Sequence, residues 1–491
     1  MRFSVLGKQA ALLFGAVTVA STAAMAAPPL VESKVLGNSS TPSSSTHKEP
    51  SVVAIEQWVG GLKEKTLPNG LRVIMAPDVE SPTVSVCVTY DVGSRNELDG
   101  QSGFAHLFEH MMFQGSKNVK KGEHFQLVTA RGGQLNGTTS ADRTNYFETL
   151  PSQELELGLW LEADRMRWLD VSATNFENQR AVVKEEYRMR VENAAYHPAL
   201  IELERLVFAG YSPYEHPTIG SMAALDAAKL EWVRDFHAQY YGPNNAVLTI
   251  SGGFSADQAI QLVEKYFAPI PPVKVPALAL PPVPPPRSAE HRATVTDKNA
   301  KTPALLVGWR IPPSRDKDHY ALEMAARLLA DGESSLLYES MVRRTPLARE
   351  VSAFTYDHRG PDAFVITVEF NADSKPGEIE HIVDRHLRDL AEKGPNAERL
   401  NRVKQRVKSN FVFGLQSNQA RATTLGEYAT FYRDPHLIAA DLDALLQVSV
   451  EDIRSVVARH LLSSSRIMIT VEPVTSNANP PATRPVQKES R

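Results

Sequence analysis

Eight of the chain's 33 prolines fall in one run, PPVKVPALALPPVPPP at residues 271–286. Each proline removes a backbone donor and fixes φ, so the run excludes helix and central strand and favours an extended connector. We take the connector as 271–288. It leaves about two hundred residues on either side, enough for one domain each. The two sides also repeat. LEWVRDFHAQYYGPNNAVLTISG (230–252) matches VEDIRSVVARHLLSSSRIMITVE (450–472) at an offset of 220, an amphipathic helix, a turn and a strand. PTVSVCVTYDVGSRNE (82–97) likewise matches PALLVGWRIPPSRDKD (303–318), a strand and a polar loop, each followed by a helix that ends in glycine, Gly115 and Gly332. A repeat of this length implies a duplicated α+β domain, each copy a mainly antiparallel sheet packed with helices. The expected domains are 56–270 and 289–472.

The ends read differently. Arg2 and Lys8 precede the apolar AALLFGAVTVA, and Ala24-Met25-Ala26 offers the small residues of a signal-peptidase site, so residues 1–26 are expected to be an export signal. Its removal takes away two positive charges and no negative one, leaving a net charge of −6 in place of −4. That is a poor balance for binding nucleic acid. Residues 27–55 and 473–491 are rich in Ser, Thr, Asn and Pro, and are expected to be flexible tails. Cys87 is the only cysteine, so no intrachain disulfide forms; it lies in TVSVCVTY, a strand pattern, as a small buried hydrophobe.

The chemistry is concentrated in FAHLFEHMMFQG (104–115). His106 and His110 are four residues apart and share one face of a helix, and Glu109 reaches the same side. Two neutral imidazoles from one helix are a favoured zinc pair, and an adjacent carboxylate can take a proton from water as general base. If Gly115 matches Gly332, the second half has Glu323, Ala326 and Arg327 at the three positions. The fold alone therefore does not require the triplet. A third ligand is expected on another element, and the charged helix pattern NFENQRAVVKEEYRMRVENAAY (175–196) offers Glu177, Glu185 and Glu186.

The H-x-x-E-H order, with a glutamate 76 residues beyond its second histidine, resembles the pitrilysin/insulinase (M16) zinc peptidases, which include the mitochondrial processing peptidases. PNGLRVIMAPD, DVGSRNE, GGQLNGTTSADRTNYFETLP, NQRAVVKEEYR, YSPYEHPTIGS and YYGPNNAVLTISG extend the resemblance over about residues 60–470, toward the zinc-bearing type of subunit. The resemblance implies a LuxS/metallopeptidase-like fold forming half of a clamshell. It also implies one Zn2+ held by His106, His110 and Glu186, with Glu109 as catalytic base and no covalent acyl-enzyme. The strand in GGQLNGTTSADRTNYFETL (132–150) would align an extended peptide through Asn136, Gly137 and Thr138.

Gln179 stands where relatives often carry a supporting Glu, and is expected, with Asp142, to orient the site. Phe104 and Phe113 are expected in the core, and His124, His197, His216 and His237 in structural positions. The second half departs from the family: in RRTPLAREVSAF, Arg344 is kept but Arg349 replaces the tyrosine of the Arg/Tyr pair that completes active sites. That departure implies a homologous non-zinc subunit supplying the pair, or a homodimer. A bacterial protein of this type is expected in the periplasm. The rival expectation is a non-catalytic assembly subunit of the same fold.

Overall fold

A computed structural model describes residues 48–474. The expected export signal at 1–26, the tail up to residue 47 and the tail from 475 lie outside the described residues. Among the described residues eleven strands form two sheets. The first holds β1 (Lys63–Thr66), β2 (Arg72–Pro77), β3 (Thr83–Tyr90), β4 (Gln134–Thr139), β5 (Thr144–Pro151) and β6 (Ala246–Gly252), in the order β1-β2-β6-β3-β5-β4. The second holds β7 (His291–Asp297), β8 (Ala304–Ile311), β9 (Ala348–Thr355), β10 (Asp362–Phe370) and β11 (Ile467–Pro473), in the order β7-β11-β8-β10-β9. Without β1 the two orders coincide. Each sheet also has one parallel pair in the same place, β2 with β6 and β7 with β11, among antiparallel neighbours.

The duplication is thus visible in the pairing. Strands β3 and β8 begin 221 residues apart, as do β6 and β11, whereas the helices Leu230–Tyr240 and Val450–Val456 begin 220 apart.

Alternation along the strands assigns the two faces of the first sheet. Val84, Val86, Val88 and Tyr90 of β3, with Leu248 and Ile250 of β6, meet Phe104, Leu107 and Phe108 in one core. Ser85, Cys87, Thr89, Thr249 and Ser251 face the other way and are fully buried under the helix Asn418–Tyr432, which comes from the second half. Gly426 permits that approach, because a Cβ there would lie 2.5 Å from Thr89 Oγ1. The exchange is reciprocal. The first-half helix His197–Val207, again 221 residues earlier, packs its Leu203 and Val207 on Leu306, Val365 and Ile469 of the second sheet.

Residues 50–55, expected in a flexible tail, are helical instead. The helix Pro50–Gly60 starts on a proline, capped by the Glu49 side chain, and buries Val52, Ile55 and Val59 in the core of the second half. Its apolar residues at i, i+3 and i+7 are a helical spacing hidden behind a Ser/Pro-rich flank. At the other end β11 runs to Pro473, one residue into the stretch read as tail. Residues 271–287 contain no helix or strand. Among the described residues no helix is long and apolar enough to cross a membrane.

Candidate metal centre

The helix Phe104–Met111 carries both histidines. Its N-terminus is fixed by Glu97, whose buried side chain accepts the Gly103 and Ala105 N–H groups at 2.9 and 2.8 Å. Burial pushes the Glu97 carboxyl up to about 8, against those two bonds. Gly103 is left-handed (φ 95°) and crosses Ile219 so closely that a Cβ would lie 2.8 Å from its carbonyl oxygen. Sequence reasoning passed over Glu97. Its signal was an acid at the end of DVGSRNE, seven residues before a helix.

The charged helix Ala173–Tyr187, continued by a wider π-type turn over Arg188–Glu192, supplies Glu186. Of the three acids weighed on this segment, Glu185 turns to Arg188 and Glu177 to Arg180, whereas Glu186 faces the histidines. Its Oε2 lies 3.1 Å from His110 Nε2 and its Oε1 3.7 Å from His106 Nε2, and Arg190 Nε approaches that same Oε1 at 3.1 Å. One ligand atom from each of the three residues lies within 4.8 Å of the others.

The electrostatics suit a cation. Burial, with the neighbouring His110 charge, lowers His106 to about 3, so its imidazole stays neutral and able to ligate. Burial pulls His110 down, but the hydrogen bond and charge of Glu186, the charge of Glu109 and a bond to Gln179 raise it overall. Burial likewise opposes the ionised Glu186, yet both histidines and Arg190 hold it down to about 2. Two imidazole nitrogens and one carboxylate, fewer donors than a closed structural site needs, match the set that holds a zinc ion with a position left for water.

Glu109 lies on the same helix and is raised by burial, against a hydrogen bond from the Thr139 hydroxyl. Thr139 belongs to β4, the edge strand, so the carboxylate is tied to the strand expected to align a peptide. Gly137 makes this possible: a Cβ there would meet Glu109 Cγ and Tyr146 Cδ1 at 3.1 Å and Phe113 Cε2 at 3.3 Å. The Gly137 N–H donates to the Asn136 side chain at 2.9 Å, not to β5. Thr138 is held from both sides, its hydroxyl donating to Asn145 and its carbonyl accepting from Arg143.

Gln179 is buried against His110, donates to Asn178 and so adjoins the cluster. Asp142 does not join it. It lies in the β4–β5 turn and accepts from Arg95, from the Tyr214 hydroxyl and from the Arg359 backbone N–H. Phe104 is buried, whereas Phe113 is half-buried beside Gly137 and stacks toward the exposed Phe125. His124 is buried against Glu148, His237 stacks on Phe108 and Tyr241, His197 opens a helix, and His216 adjoins Glu97. Arg344 is exposed near Glu339, and Arg349 is exposed on β9, the edge of the other sheet.

Two further groups resemble metal sites only in composition. His124, Glu148 and Glu162 are fully buried, and Arg165 already supplies the positive charge, donating to Glu162 at 2.9 Å. His319, Glu323 and Asp357 are occupied similarly, with His319 2.7 Å from Asp362 and Arg327 on Glu323. With Gly115 aligned on Gly332, Glu323 and Arg327 fall at the positions of His106 and His110, and these two form an ion pair within one helix.

Two models of one family match successive parts of the chain. The insulinase (peptidase family M16) model matches residues 72–215, and the peptidase M16 inactive-domain model matches 228–407. A relative named "Zinc protease PqqE", from Helicobacter pylori, is 29% identical over 365 residues, covering 74% of this chain and 82% of that protein. A solved protease from Helicobacter pylori superposes with a TM-score of 0.79 at 27% identity, over 84% of this chain and 99% of that one. The periplasmic protease PqqL from Escherichia coli shares the fold, with a TM-score of 0.67 at 18% identity, over 84% of this chain but 47% of its own. Duplicated sheets, the H-x-x-E-H helix and both family matches together make this chain a member of the M16 (insulinase) metallopeptidase family.

Proposed function

We propose that the chain is an exported zinc metalloendopeptidase that hydrolyses peptides or unfolded segments. The observation that carries this reading is the convergence of His106, His110 and Glu186 within 4.8 Å, with Glu109 beside them on the same helix. In this reading those three residues hold one Zn2+, which when bound supplies Lewis acidity toward water and the scissile carbonyl. Glu109, raised by burial, accepts the proton of the attacking water and passes it on to the leaving amine. Gln179 holds the His110 ring, as a polar neighbour of a ligand does. Asn136, Gly137 and Thr138 align the peptide as an added strand on the edge of β4, and Asp142 fixes the turn that follows.

The exposure of Arg344 and Arg349 supports a second element of the reading, pairing with a homologous non-zinc subunit or a second copy that completes the site. The E. coli relative, of which this chain spans about half, has two such lengths in one chain. That relative is periplasmic, which supports the same location here. The testing experiment measures zinc content and peptide hydrolysis for the purified chain, for Glu109→Gln, and for the chain with a co-purified partner. Stoichiometric zinc and activity lost in Glu109→Gln support the peptidase. Absence of zinc overturns it and favours the assembly-subunit reading, whereas activity that survives Glu109→Gln overturns the role given to Glu109. Full activity from a monomer overturns the pairing alone.

A further inference from the structure

The loop Asp91–Glu97 touches both parts of the site. Its end, Glu97, caps the histidine helix. Its middle is laid against the β4–β5 turn: the Ser94 and Arg95 N–H groups donate to the Ser140 and Ala141 carbonyls at 3.2 and 3.0 Å. Gly93 is required there, because a Cβ would lie 2.4 Å from the Ser140 oxygen. Arg95 then bridges Asp91 and Asp142 at 2.9 and 2.8 Å. Onto this bracket comes one cation from the second half. Arg359 Nη1 donates to Asp91 at 2.6 Å, its backbone N–H donates to Asp142 at 3.1 Å, and its guanidinium lies 5.0 Å from the Phe431 ring. The next residue, Gly360, donates to the Tyr214 hydroxyl, which itself donates to Asp142.

We propose that Arg359 is a positioning residue of the second half that holds the β4–β5 turn, and through it the peptide-aligning strand, in register with Glu109. The proposal rests on the reading of β4 as that strand. Among the described residues of the first half, Arg95 is the one cation bonded to the two carboxylates Asp91 and Asp142. A second cation balances the charge, and since Arg359 is carried by the other sheet's β9–β10 turn, it ties the strand to the position of the second half. Displacements of about 1 Å are costly where a substrate must be aligned with a catalytic base. The second half, whose helix Lys317–Ala330 carries the Glu323–Arg327 ion pair, thereby acquires a part in peptide alignment.

The test compares wild type with R359Q, R359K and D91N as full-length, zinc-loaded protein, reading amide hydrogen exchange, zinc content and the kinetics of an extended peptide. R359Q and D91N are expected to speed exchange at Ser94, Arg95, Asp142 and Arg143 while leaving Leu107 in the histidine helix unchanged. They raise KM about three- to tenfold, with kcat within about twofold and zinc content unchanged, and R359K restores most of the affinity. Unchanged exchange at the turn overturns the proposal, as does a loss confined to kcat or accompanied by loss of zinc. Exchange raised throughout the chain in both R359Q and D91N also overturns it, since the pair is then simply structural. A wild type that cleaves no peptide defeats the peptidase reading instead, and the exchange data still decide whether Arg359 holds the turn.

Discussion

A Cβ added to Gly137 would stand 3.1 Å from Glu109 Cγ, so the edge strand and the Glu109 side chain approach this closely because residue 137 has no side chain. Gly137→Val is therefore expected to push β4 away from the histidine helix, at a cost of about 1–3 kcal/mol of stability. Peptide hydrolysis should fall further than zinc content does, which assays of activity and bound metal on the same preparation will show. Equal losses in both would contradict this separation.

Glu109 is expected to matter for proton transfer and not for binding metal. Glu109→Gln preserves the shape and the Thr139 contact but cannot accept a proton, and should lower kcat by about 10²–10⁴-fold with zinc retained. His110→Ala and Glu186→Gln should instead lose zinc, read by metal analysis after dialysis.

Gln179 hydrogen-bonds His110 beside Glu186. Gln179→Ala is expected to weaken zinc affinity about 10–100-fold, measured by competition with a chromophoric chelator, while the fold melts at an unchanged Tm. An unchanged affinity would show that His110 is oriented by Glu186 alone.

Glu97 should behave as a cap. Glu97→Ala leaves the Gly103 and Ala105 N–H groups without their acceptor at the buried start of the histidine helix, and is expected to cost about 0.5–2 kcal/mol. Zinc affinity should weaken with it, because the first turn carries His106.

Acid should destabilise the metal-free protein partly through His237. Burial lowers this histidine to about 4, from an ordinary value near 6.5. The unfolded chain therefore binds a proton that the folded one refuses as the pH falls from 6.5 toward 4, so the contribution present at neutral pH is lost across that window. At pH 5 the loss is on the order of 1–2 kcal/mol. His237→Phe keeps the stack on Phe108 and Tyr241 and should flatten this part of the pH dependence of Tm.

Much of this arrangement was legible in the residues. The i, i+4 histidines, the alternating strands and the repeat across the proline run are local periodicities, and each reappears as an element in the expected place. The choice among Glu177, Glu185 and Glu186 was not legible from the helix pattern, because it depends on how two helices cross. Asp142 lay in a conspicuous polar stretch, but its partners Tyr214 and Arg359 are 72 and 217 residues away, and no local pattern encodes that distance. The helix Pro50–Gly60 was concealed for a related reason. Its apolar face packs on the helix Leu437–Gln447, almost four hundred residues further along the chain, so composition alone suggested a tail.

The reciprocal packing of the halves has a consequence for how the molecule is made. A chain that emerges N-terminus first completes β6 at Gly252, yet the helix that roofs the rear of that sheet ends at Tyr432. At about 5–20 residues per second, the interval is on the order of ten to forty seconds. The surface left waiting is Ser85, Cys87, Thr89, Thr249 and Ser251, mostly hydroxyl groups that water satisfies until Gly426 slides over them. A greasier lining would have invited another nascent chain to take the helix's place.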